Sequence, residues 1–99
     1  MSDPQSTYPL QFGKLNLMTG QQAVTTAAAP LAAAPAGTFR LKALKANVAS
    51  VFYGPAGVSI TTGDELAPGE SVILDIANAD MVYVIAAAAG GSVSWAALY

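Results

Sequence analysis

Glycine and proline interrupt this 99-residue chain so often that its apolar residues can form only short segments. The chain contains nine glycines and six prolines. The stretch VFYGPAGVSITTGDELAPGES, residues 51–71, holds four of those glycines and two of the prolines. Proline breaks a helix interior, and glycine is a poor helix former. The punctuation therefore favours short strands joined by turns.

The clearest strand signal is TFRLKAL, which begins at residue 38. Phe39, Leu41 and Ala43 fall on one face of an extended chain, and Arg40 and Lys42 fall on the other. This alternation is typical of a half-buried strand.

Further runs of β-branched, aromatic and other apolar residues predict the remaining strands. KLNLMTG predicts a short strand that ends at Gly20. The pair Pro68-Gly69 suits the central positions of a type II turn, and Gly90-Gly91 predicts a hairpin. The other predicted strands are SVFYG, SVILDI, MVYVIAAAA and SVSWAALY. Short strands at this spacing predict an all-β fold, a small antiparallel β-sandwich or barrel.

The N-terminal third has a different composition. The segment MSDPQSTYPL, residues 1–10, predicts an extended N-terminal arm, for which Tyr8, Leu10 and Phe12 are the candidate partner-binding residues. AVTTAAAPLAAAPAG, residues 23–37, is rich in alanine, but its two prolines favour an extended connector. We therefore predict an arm and connector over residues 1–37 and a β-sandwich domain over residues 38–99.

Composition and charge narrow the range of partners. Hydrophobic residues make up 54% of the chain and charged residues 10%, whereas an ordinary soluble domain has roughly 25% charged residues. Because so much uncharged surface needs covering, we expect the protein to associate with copies of itself, as a trimer or a ring. The net charge of −2 argues against nucleic acid, since nucleic-acid binders concentrate lysine and arginine. The longest apolar stretch is far shorter than the ~20 residues of a membrane-spanning helix, so we expect no membrane partner.

The residues that could carry chemistry do not form a recognisable catalytic or metal-binding pattern. The chain has no histidine and no cysteine, so a serine or threonine nucleophile lacks its usual base. The carboxylates that could be considered as ligands do not follow the spacing of a calcium loop. We therefore expect no enzyme activity, no catalytic residue, no metal and no cofactor. The candidate oxygen ligands are Asp64, Glu65, Asp75, Asn78 and Asp80.

Aromatic residues at strand positions favour core or interface packing over a ligand platform. These residues are Phe39, Phe52, Tyr53, Tyr83 and Trp95. The glycines of residues 51–71 likewise favour turns over a phosphate-binding loop, which would need a lysine or a following helix.

Residues 38–98 carry a pattern of turn glycines and strand apolar residues. The pattern runs V-F-Y-G, then G-V, then L-x-P-G-E and then V-Y-V. It resembles a widespread group of small phage virion structural proteins, which occur as capsid decoration (cement) proteins or as tail-associated β-sandwich modules. The resemblance brings no catalytic residue with it.

The resemblance implies a non-enzymatic capsid decoration protein, made in the host cytoplasm and assembled on the virion. It would bind the major capsid protein or another virion protein and stabilise the capsid lattice. A tail, neck or fibre component is an alternative. A host-surface carbohydrate-binding module is another, in which Tyr53, Tyr83 or Trp95 would be exposed beside Asp64 or Asp80.

Overall fold

The computed structural model describes residues 16–99, which form an all-β fold. The predicted fold class is therefore confirmed, while the arm residues Tyr8, Leu10 and Phe12 lie outside the described residues. A single 3₁₀ turn, Ala79–Met81, interrupts the strands of the described chain. The strands are β1 (Leu17–Val24), β2 (Ala29–Pro30), β3 (Thr38–Ala43), β4 (Val51–Gly54), β5 (Asp64–Leu66), β6 (Ser71–Asp75), β7 (Tyr83–Ala86) and β8 (Gly91–Leu98).

The described strands form two four-stranded antiparallel sheets. The first sheet has the order β1-β8-β3-β6, and the second has the order β2-β7-β4-β5. Across the two sheets β1 pairs with β8, β2 with β7, β3 with β6 and β4 with β5. This nested pairing, in which the first strand meets the last and the middle strands meet each other, is the connectivity of an eight-stranded jelly roll.

The core lies between the two sheets and is apolar throughout. The first sheet contributes Phe39, Leu41 and Val93, and the second contributes Val51 and Val84, all of which are almost completely buried. No buried residue of the described chain is polar or charged. The alternation predicted for TFRLKAL is confirmed, because Phe39, Leu41 and Ala43 each have 0% exposure.

The first strand extends beyond its predicted end at Gly20. β1 continues to Val24 and pairs with β8 along its whole length. A Cβ atom at Gly20 would lie 2.7 Å from Cζ2 of Trp95. The glycine thus makes room for the tryptophan ring within a strand and does not end the strand.

The predicted boundary at residue 38 does not coincide with the elements of the fold. β1 is an edge strand of the first sheet, and β2 belongs to the second. Leu31 and Ala34, from the predicted connector, lie in the core. The alanine- and proline-rich segment is therefore part of the sandwich, because Leu31 and Ala34 pack among the residues of its core.

The sequence predicts that Gly90-Gly91 closes a hairpin, and this prediction is wrong. β7 and β8 belong to different sheets, so the turn carries the chain from one sheet to the other. Gly90 has a φ of +85°, which suits a sharp change of direction as well as it suits a hairpin. Among the described strands, β4 and β5 are the consecutive pair that forms a hairpin.

Candidate interaction surfaces

The outer face of the first sheet carries large apolar side chains where an alternating strand pattern would place polar ones. The register aligns Leu17 with Leu98, and Leu98 with Thr38. The adjacent outward row joins Thr19, Ala96, Arg40 and Ile73 across all four strands. Exposed residues of all four strands therefore meet at one end of this sheet.

These side chains line a shallow groove of about 250 Å³. We call its apolar part, formed by Leu17, Ile73, Ala96 and Leu98, the outer-face patch. Leu17 is 66% exposed, Ile73 62% and Leu98 40%. Covering one such side chain stabilises an interface by roughly 1.5–3 kcal/mol. The patch is accordingly a candidate docking surface.

Arg40 adds a charged group to this apolar groove. It lies directly across from Ile73 on β6. A planar guanidinium beside apolar side chains can bind a carboxylate through two parallel hydrogen bonds while its neighbours exclude water. The groove is therefore suited to a partner surface that offers apolar side chains around an acidic residue.

The glycine-rich segment between β4 and β5 is a folded loop built around Val58. Val58 is only 5% exposed. A Cβ atom would lie 2.9 Å from Cγ2 of Val58 at Gly54 and 2.8 Å from it at Gly63. Two of the glycines thus allow the loop to fold tightly over this valine. Gly57, with a φ of +85°, supports the turn between them.

Two side-chain hydrogen bonds join the two sides of the β4–β5 hairpin. The Tyr53 hydroxyl donates a hydrogen bond to Oδ2 of Asp64 at 3.0 Å, and the Ser50 hydroxyl donates one to Oε2 of Glu65 at 2.5 Å. Burial raises the pKa of Tyr53, and the hydrogen bond and the negative charge of Asp64 raise that pKa further. The phenol therefore stays protonated at neutral pH and acts as a donor.

Asn78, another of the candidate oxygen ligands, holds the backbone in place. Oδ1 of Asn78 accepts hydrogen bonds from the backbone N–H groups of Ala34 at 3.0 Å and Asp80 at 3.2 Å. Asn78 thereby caps the 3₁₀ turn and ties it to the segment before β3. Within residues 16–99, no group of three or more histidine, cysteine, aspartate or glutamate residues could hold a metal ion.

The aromatic residues are divided between the core and the surface. Trp95 is 8% exposed, and its ring stacks on that of Phe39 with centroids 5.8 Å apart. Trp95 is thus a core residue and does not form an exposed platform. Tyr53, Phe52 and Tyr83 are half-buried, and of these Tyr53 lies beside one of the predicted carboxylates, Asp64.

The outer-face patch was missed by sequence reasoning, although one signal for it is visible. In SVILDI, Ile73 falls on the opposite face from Val72 and Leu74, so the segment is apolar on both faces. A strand covered on one side only should be polar on the other.

No helix in the described part of the chain is long and apolar enough to cross a membrane.

No protein-family model, no curated protein and no solved structure matches the chain. The resemblance to phage structural proteins therefore remains a prediction made from its residues.

Proposed function

We propose that this chain is a non-enzymatic virion structural protein of a phage, and specifically a capsid decoration protein that binds and stabilises the capsid lattice. The observation that carries the proposal is the outer-face patch, an exposed apolar surface on the first sheet of the sandwich. In a chain with only 10% charged residues, this surface supports function by docking.

The position of the patch also suits the proposed arm. Asn16 exchanges backbone hydrogen bonds with Tyr99, at 3.0 and 3.1 Å. This pair directly precedes the outward row that contains Leu17 and Leu98. Residues 1–15 therefore join the sandwich beside the patch, so the arm and the patch can engage the same partner. In the proposal Tyr8, Leu10 and Phe12 bind a neighbouring subunit of the major capsid protein.

The fold is compatible with a capsid decoration role, but the fold alone does not distinguish this role from others. Jelly rolls occur in viral capsid proteins and also in lectins. Since one fold serves many functions, the surface has to carry the argument.

The pair formed by Tyr53 and Asp64 supports the second candidate, a host-surface carbohydrate-binding module. A tyrosine beside a carboxylate can stack on a sugar ring while the acid accepts hydrogen bonds from its hydroxyls. Against this, the Asp64 oxygen is already bonded to Tyr53, and Trp95 lies in the core. A glycan that binds this pair should change the NMR chemical shifts of Tyr53 and should not bind a Tyr53→Phe, Asp64→Asn variant.

The proposal is tested by adding the purified protein to phage heads that lack it. Co-sedimentation with heads is expected, together with loss of binding when Ile73→Asp and Leu98→Asp place charges in the patch. The matched control is Val48→Asp, because Val48 is 86% exposed and lies outside the groove. Binding to purified tails but not to heads would replace the decoration role with the tail, neck or fibre alternative.

A further inference from the structure

Within residues 16–99 each sheet of the sandwich has two edge strands, and three of these four edges are protected against pairing with another chain. β2 has two residues, one of them Pro30. β5 has three residues, two of them acidic. β6 has five residues and ends in Asp75. Short length, proline and charge are the features by which natural proteins keep sheet edges from associating.

The fourth edge, β1, has none of these features. Its sequence, LMTGQQAV, is eight residues long and contains no proline and no charged residue. Its register with β8 runs through eight consecutive pairs without a bulge. A long, uncharged and regular edge is a template for addition of another strand.

The backbone groups at this edge follow from the register with β8. Because Asn16 and Tyr99 exchange both of their hydrogen bonds, even-numbered residues of β1 bond to β8 in the alternating antiparallel pattern. The odd-numbered residues direct their N–H and C=O groups away from β8. Within the described residues no strand pairs with that side of β1. The outward groups belong to Leu17, Thr19, Gln21 and Ala23.

We infer that β1 pairs antiparallel with β1 of a second copy of this chain, about a two-fold axis at Gly20. Leu17 then lies opposite Ala23 of the second copy, and Thr19 lies opposite Gln21. All of the outward backbone groups find partners, with about eight hydrogen bonds between the copies. The two first sheets join into one continuous sheet.

A second copy suits this edge better than the other available strands. An uncharged strand meets its own copy without repulsion, whereas β5 would bring two carboxylates and β6 one. The N-terminal segment contains Pro4 and Pro9, which fall on opposite parities. In an added strand that contains both of them, one of those prolines would face β1 without an N–H to donate.

The β1 edge is also held in place before any partner arrives. The Gln22 side chain donates to the carbonyl of Pro30 at 3.2 Å and accepts from the N–H of Ala32 at 2.9 Å. These bonds tie the strand to the segment behind it. An edge fixed in its binding geometry loses less conformational entropy on association.

The inference does not depend on the virion proposal, because self-association is measured on the purified protein without particles. A β1–β1 contact is isologous and closes as a dimer, so a trimer or ring would require a different, heterologous surface. The test is sedimentation velocity of the full chain at low salt over a range of concentrations. The expected species has twice the 10.0 kDa mass of the chain.

Charges placed at the edge test the register directly. In Thr19→Glu with Gln21→Glu, glutamates face each other across the axis, and we expect dimerisation to weaken at least tenfold with the circular dichroism spectrum unchanged. Mixing this variant with Thr19→Lys, Gln21→Lys should restore a dimer, now of one copy of each. The matched control is Ser71→Glu with Ala77→Glu, which adds the same charge at exposed positions on and just beyond β6, outside the outer-face patch and on the opposite edge of the same sheet, and should dimerise like the natural chain.

Three results would overturn the inference. They are a natural chain that stays monomeric at about 100 μM, a dimer that the Thr19 and Gln21 glutamates leave intact, and a loss of dimer in the β6 control equal to that in the β1 variant. If either double variant fails to fold, Gln21→Glu and Gln21→Lys alone give the same comparison.

Discussion

Gly20 and Trp95 show how one position without a side chain fixes the packing of a sheet. The glycine stands opposite Trp95 in the register of β1 and β8, and the tryptophan ring occupies the space that a Cβ atom would need. The ring in turn stacks on Phe39 of β3. Substitution at this position should therefore disturb three adjacent strands of the first sheet.

Gly20→Ala should destabilise the protein by about 1–3 kcal/mol, because the added methyl group forces the ring or the strand to move. In a domain of this size the melting temperature should fall by about 4–8 °C for each kcal/mol. Thr19→Ala is the matched control, since it changes the adjacent, exposed residue of the same strand. Equal melting temperatures for Gly20→Ala and the natural chain would show that the ring is not closely packed against this glycine.

At the scale of the element, the β4–β5 hairpin is held by the bond between Tyr53 and Asp64 as well as by its backbone pairs. The pKa of Tyr53 lies above its ordinary value of 10.0, first through burial and then through Asp64. A group whose folded-state pKa is raised stabilises the fold fully below its unfolded pKa. That contribution is lost as the pH rises through the folded pKa.

The melting temperature of the natural chain should therefore fall more steeply above pH 10 than that of Tyr53→Phe, which cannot ionise at this position. Tyr83→Phe is the matched control, because it removes a hydroxyl from the neighbouring strand β7 and leaves the bond to Asp64 intact. Its melting curve should follow that of the natural chain from pH 8 to pH 12. Parallel pH profiles for the natural chain and Tyr53→Phe would contradict the assigned role of this bond.

Local elements of this fold could be predicted from the sequence, whereas their pairing could not. The Pro68-Gly69 turn is confirmed, because Gly69 has a φ of +89° and the N–H of Glu70 donates to the carbonyl of Ala67 at 2.8 Å. Turn residues act over four positions, so their sequence is sufficient. Gly90-Gly91 gives an equally strong local signal, yet the strands on either side enter different sheets.

The interaction surfaces depend on pairing over long sequence separations. The outer-face patch joins Leu17 to Leu98 across the chain, and no local pattern predicts that contact. Asn47 is another example, since its side chain pairs with both backbone groups of Ser92, at 2.9 and 3.0 Å. Of the carboxylates considered as oxygen ligands, Asp64 bonds to Tyr53, 11 positions away, and Glu65 bonds to Ser50, 15 positions away.

On the scale of the whole molecule, we propose that the sandwich folds without residues 1–12 and that these residues attach it to the capsid. β1 begins at Leu17, so deletion of residues 1–12 leaves every described strand intact. The truncated protein should melt within a few degrees of the full chain. Its attachment to heads should weaken by orders of magnitude, because Tyr8, Leu10 and Phe12 could each contribute roughly 1.5–3 kcal/mol when buried, before the cost of ordering the arm.

Full-length protein with Tyr8, Leu10 and Phe12 changed to alanine is the control for chain length. It should lose attachment to the same extent as the truncation. A stable truncation that still co-sediments with heads as the full chain does would remove the arm from the mechanism and leave attachment to the outer-face patch.

The central claim is that the protein decorates a capsid. The most direct test is cryo-electron microscopy of particles purified from the phage that encodes it. Quantitative mass spectrometry of the same particles gives the copy number. We expect density for the sandwich at regular positions on the outer lattice, with on the order of hundreds of copies per particle, as a repeating shell requires. Particles without this chain, or with about a dozen copies confined to the tail, would contradict it.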